Sequence, residues 1–145
     1  MSELIEVKTS ELTGYALDWA VAKAIGYDCG RLQGKNGTLG CNAPRGVQYV
    51  IGILRGASLV EELNARFWRP TTDWAQGGPL LEKYQIELLT IKIGSDSVKH
   101  WCAFFHADSR KYEKCHTALI AICRAIVAAK LGDVVLVPEE LEVVK

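Results

Sequence analysis

Two stretches near the ends of the chain are apolar around almost their whole helical circumference. From Glu11 to Ile25, Leu12, Tyr15, Ala16, Trp19 and Ala22 line one face, and Leu17, Ala20, Val21 and Ala24 fill much of another. Only Glu11, Gly14 and Asp18 form a plainly polar stripe, so this helix belongs at the centre of a fold or against a second subunit. Thr9 or Ser10 offers an N-cap, Glu11 suits the positive end of the helix dipole, and Gly26 stops the helix. A second such helix runs from about His116 to Leu131 and ends at Gly132. With 145 residues to place, the chain has room for one core around these helices.

The remaining segments supply thin strands. Residues 3–8 alternate loosely and read as a strand. Residues 27–46, rich in Gly and Asn, read as an extended loop or a small irregular hairpin, long enough to be functional or mobile. Val47 to Leu54 has strand composition, and Ser58 with Glu61 resembles a capping box opening a short helix towards Arg66. Pro70 and Gly77-Gly78 argue against a continuous element, leaving a short helix at Leu80–Tyr84 with Pro79 at its first position. Gln85–Ile93 and Val98–His106 read as a hairpin turning at residues 94–97, and Val134–Val137 as a last strand before a peripheral tail. The expected architecture is a single α+β domain over residues 1–145: a mixed or antiparallel sheet with two long helices packed on one face. Helices this apolar exceed what one thin sheet covers, so a homo-oligomer, most simply a dimer, is expected.

Charge narrows the partners. Lys plus Arg and Asp plus Glu are 17 each, which argues against generic nucleic-acid binding. No apolar run approaches the ~20 residues that cross a bilayer, so no membrane partner is expected. The opening Met-Ser-Glu-Leu-Ile-Glu is acidic where a signal peptide is basic, which points to the cytoplasm. Cys29, Cys41, Cys102, Cys115 and Cys123 are odd in number and lack C-x-x-C spacing, as expected of buried thiols in a reducing compartment.

The most unusual stretch is Phe67 to Pro79. Two readings fit it. In one, Trp74 stacks on a planar ring, Asp73 and Gln76 read its polar edge, and Arg69 faces a phosphate. Gly77 and Gly78 then let backbone N–H groups approach the ligand, with Thr72 alongside. In the other, the segment is an ordered turn: Asp73 caps, Trp74 is core and the glycines allow a bend. Arg124, alone in the apolar run Ala118–Ala129, either snorkels to solvent, the simpler reading, or is buried against an anionic partner from protein or ligand.

Other constellations are weaker. His100, Cys102 and His106 share a strand face but match no metal-site spacing, and Cys115-His116 point apart on a helix, so no metal or catalytic set is assigned. Gly30-Arg31-Leu32-Gln33-Gly34-Lys35 is one residue short of a phosphate loop and lacks the following Ser or Thr. Glu61-Glu62 and Glu139-Glu140 read as solvated surface. No cofactor is implied.

Four segments, in order, resemble the bacteriophage NinX family. They are Val7 to Ala22, the stretch from Pro70 through Thr72-Asp73-Trp74-Ala75-Gln76-Gly77-Gly78-Pro79, the pair Trp101 and Ala103, and Leu119–Gly132 with Val137-Pro138. Gly30 to Gly46 departs from the pattern. The resemblance implies a phage or prophage origin and one small domain; the family is a domain of unknown function and brings no catalytic residues. The expected role is a non-enzymatic accessory protein that binds or sequesters a small nucleotide-derived ligand, a host immune signal for instance. The alternatives are a module that inhibits a host protein through the first helix and Phe67-Trp68, or a small nucleotide hydrolase.

Overall fold

The structure, a computed structural model, describes residues 4–32, 37–53, 58–92, 99–105 and 115–143. Strand β1 (Leu4–Lys8) leads into helix α1 (Gly14–Ala24), followed by β2 (Asp28–Arg31), β3 (Leu39–Asn42) and β4 (Gln48–Val50). Helices α2 (Leu59–Asn64) and α3 (Trp74–Lys83) precede β5 (Ile86–Lys92) and β6 (Lys99–Phe105). Helix α4 (Ala118–Leu131), β7 (Val134–Pro138) and α5 (Glu139–Val143) close the chain. The turn expected at 94–97, His106 and residues 33–36 lie outside the described residues.

The α+β class holds, and every strand ladder is antiparallel. The arrangement differs from the single sheet expected. Among the described residues three small sheets form instead, β1–β7, β2–β3–β4 and β5–β6. They surround the helices: α1 packs on α4, β5 and β6 lie against α4, and β7, β2 and β3 lie against α1. Residues 16–22 of α1 and 121–128 of α4 are all buried. Helices apolar all round are thus covered from several sides within one chain.

Helix ends show what the sequence pattern overran. Residues 9–11 form a separate 3-10 turn, and α1 begins at Gly14 after an extended Thr13. Thr9 caps nothing. It is buried, its hydroxyl donates to the Gly132 carbonyl at 2.7 Å, and its N–H donates to Asp133 O at 2.8 Å. The start of the chain is thereby tied to the end of α4. Ser58 does accept from Glu61 N, at 3.2 Å. The tail is not peripheral: Leu141 of α5 is buried and, with Tyr15, reaches Gly52.

Helix α3 overturns the expected break. It runs without interruption through Gly77-Gly78-Pro79, placing Pro79 inside the helix. Pro79 removes only the backbone bond to the Ala75 carbonyl, and side-chain bonds at the helix start hold the turns before it. Among the described residues no helix is long and apolar enough to cross a membrane.

Candidate functional site

The segment from Phe67 to Gly78 is a hydrogen-bonded frame. The Arg69 carbonyl accepts from Thr72 N at 3.1 Å and Asp73 N at 2.8 Å. Gln76 Nε2 donates to the Phe67 carbonyl at 2.7 Å, and Gln76 Oε1 accepts from Arg69 N. Asp73 Oδ1 caps α3 by accepting from Ala75 N at 2.9 Å, while the Asp73 carbonyl accepts from Gln76 N and Gly77 N. Trp68 is buried between the rings of Tyr27 and Tyr49, at centroid distances of 5.2 and 5.4 Å.

Several residues expected to contact a ligand therefore have structural duties. The Asp73 carboxylate and the Gln76 amide are spent on backbone groups. Gly77 approaches protein: a Cβ there would lie 2.4 Å from Pro70 O and 2.6 Å from Leu119 Cδ2. Gly78 has room, its nearest neighbour being Trp74 Cε3 at 3.5 Å from such a Cβ. Trp74 contradicts the core reading, because 56% of it is exposed on the first turn of α3. Thr72 is exposed beside it in sequence. The Arg69 guanidinium lies 4.3 Å over the Phe67 ring, and its buried Nε has no hydrogen-bond partner among the described residues.

Beneath this frame sits a residue that sequence reasoning placed on a polar stripe. Asp18 is 2% exposed; its Oδ1 accepts from Thr71 N at 3.1 Å and its carbonyl from Trp68 Nε1 at 3.0 Å. Burial pushes its carboxyl up to about 7, against the hydrogen bonds from Thr71 and the nearby Arg69 cation, which pull it down. The signal was present in the sequence: one acid within an otherwise apolar helical stretch is as conspicuous as Arg124. Arg124 itself does not snorkel. At 9% exposure it donates from Nε to the Leu12 carbonyl at 2.9 Å and from Nη1 to Cys115 Sγ at 3.4 Å. It joins α4 to the loop before α1, and neither of these partners belongs to the Phe67–Gly78 frame.

The cavities lie elsewhere in the fold. One of about 140 Å³ is lined by Tyr15, Leu39, Ile51, Gly52 and Leu141, with Glu140 at its rim. Glu140 is ion-paired at 2.8 Å to Arg31. Another, of about 230 Å³, is lined by Trp19, Lys23, Cys29, Arg31 and Leu39. No residue of the Arg69–Gly78 frame lines either one. The frame presents Thr72, Asp73 and the Trp74 ring to solvent.

The family model described as "Bacteriophage P22, NinX" matches residues 8–130. No curated protein matches the chain.

Proposed function

From a chain that belongs to the bacteriophage NinX family, we propose a non-enzymatic phage accessory protein of the host cytoplasm that binds and sequesters a small nucleotide-derived ligand, such as a host immune signal. The observation that carries this reading is Trp74. Most of its ring faces solvent, yet its backbone is held by a capped helix turn and a clamped loop. A ring carried on a backbone held in this way offers a stacking platform at reduced ordering cost, because the loop is already organised. Arg69 supplies a cation on the same frame, with Thr72 and Gly78 completing the accessible set. Asp73, Gln76 and Gly77 hold the platform in place, while Arg124 is committed to Leu12 and Cys115 in the core and is not assigned to it.

The test uses purified protein incubated with small-molecule extract from phage-infected bacteria, washed by filtration and then heat-denatured. One compound released intact at near-stoichiometric amount is expected, with Trp74→Ala losing it and Arg69→Gln weakening it. Retention unchanged in Trp74→Ala would sink the assignment. A new product accumulating in excess of protein would make the chain a hydrolase.

A second reading, inhibition of a host protein, is favoured by a different surface. The first helix and Trp68 are buried and cannot serve it. Register places Leu4, Glu6, Lys8, Val134 and Leu136 on one face of the β1–β7 ladder, opposite Ile5, Val7, Val135 and Val137, which face the core. Leu4, Val134 and Leu136 are about half exposed there, at 51%, 51% and 48%. A stoichiometric protein partner lost in Leu136→Lys and kept in Trp74→Ala would establish this second reading over the first.

A further inference from the structure

Strands β2 and β3 bring two cysteines face to face. Cys29 and Cys41 are direct partners in the antiparallel ladder. The hydrogen bonds identify the kind of pair. Leu32 N donates to the Thr38 carbonyl at 2.8 Å, so the pair 32–38 is a hydrogen-bonded rung. Alternating along the ladder, 30–40 is hydrogen-bonded and 29–41 is not. Non-hydrogen-bonded partners have Cα atoms about 4.5 Å apart and the closer side chains. That spacing falls within the ~4.4–6.8 Å range that a disulfide spans. Both thiols are free, and the Cys41 thiol is hydrogen-bonded to the Cys29 sulfur.

The two differ in access. Cys41 is fully buried, whereas Cys29 is half-buried and lines the cavity of about 230 Å³ with Trp19, Lys23 and Arg31. They also differ in acidity. The hydrogen bond from Cys41 holds the Cys29 thiol below its usual range, burial opposes this, and the Lys23 cation assists. The same hydrogen bond and burial push Cys41 up. One sulfur is thus the more accessible and more acidic nucleophile, and the other is held behind it.

We propose that Cys29 and Cys41 form a reversible dithiol–disulfide site, oxidised by a low-molecular-weight disulfide that enters the cavity beside Cys29. The Cys29 thiolate attacks one sulfur of the incoming disulfide, forming a mixed disulfide and releasing one thiolate. Cys41 gives up its proton and attacks the Cys29 sulfur, releasing the second thiol. Two protein thiols are oxidised, one external disulfide is reduced to two thiols, and no other reactant is needed. The product staples β2 to β3 without requiring the strands to move apart. Of the other cysteines, Cys115 opposes Trp101 rather than Cys102 in its bridge, and Cys123 is buried within α4.

The experiment incubates the native chain with oxidised glutathione, then denatures it in the presence of excess alkylating agent to block the remaining thiols, and maps the peptides by mass spectrometry. Cys29 and Cys41 are expected to disappear together as one cross-linked species that dithiothreitol reverses, with Cys102, Cys115 and Cys123 still alkylated. Cys41→Ser is expected to stop at a glutathione adduct on Cys29. Both cysteines remaining alkylatable in the wild-type chain overturns the proposal, as does a mixed disulfide on Cys29 that persists while Cys41 stays free. The wild-type result decides the matter even where a variant fails to fold.

Discussion

Asp18 shows how much one buried side chain can settle. Its carboxyl binds a proton more tightly in the folded chain than in the unfolded one, so between about pH 4 and pH 7 the folded state holds more protons. Stability from this group is therefore full at low pH and falls as pH rises through that window, by up to a few kcal/mol at about 1.4 per pKa unit. Asp18→Asn keeps an acceptor for Thr71 N and removes the titration. Thermal melts at a series of pH values should show the variant gaining on wild type from pH 4 to 7; parallel profiles would show that the carboxyl does not titrate there. The neighbouring glycines give a second contrast. Gly77→Ala forces a methyl against Pro70 O and Leu119 and should cost roughly 1–3 kcal/mol. Gly78→Ala meets ordinary contact and should be neutral or gain up to about 1 kcal/mol from helix propensity. Chemical denaturation of the two variants checks this, and equal losses would contradict the close packing of Gly77.

At the scale of elements, α3 carries the argument. Its sequence, with two glycines and a proline, is a poor helix by propensity, and specific side-chain bonds hold its start. Asp73 is one of them. Asp73→Ala should lower stability by about 1 kcal/mol, and Asp73→Ser, which caps equally well, should restore most of it. Denaturation midpoints test this; a loss not recovered by Ser would mean that the carboxylate does something other than capping. The same element explains why the candidate site was only half legible. That Trp74, Arg69 and the glycines belong to one local feature could be read from their spacing. That Gln76 turns back to clamp Phe67 and Arg69, and that Gly77 serves a contact with α4, depends on partners brought in by folding.

Over the whole molecule, the family match stops at residue 130, but the fold does not. Strand β1 has β7 as its ladder partner, and Thr9 is bonded to Gly132 and Asp133. A chain ending at Lys130 should therefore lose its cooperative thermal transition, measured by circular dichroism. Leu141→Ala in the intact chain should cost about 2–4 kcal/mol, since Leu141 is buried. A truncated chain that melts as sharply as the full one would show that the core closes without β7 and α5.

The sequence by itself determined the α+β class, the two central helices, the antiparallel pairing of β5 with β6 and the membership of the family, and left residues 27–46 open between a loop and a small hairpin. Each of these rests on periodicity, turn residues or local motif, which act between residues close along the chain. Tertiary structure alone decided that the strands form three sheets, that Asp18 and Arg124 are buried, that Trp74 faces solvent and that Cys29 meets Cys41. Those outcomes depend on which distant segment covers which face. Residues 9 and 132, or 18 and 71, meet only after the chain has folded, and the free energy of their burial and hydrogen bonding belongs to the pair.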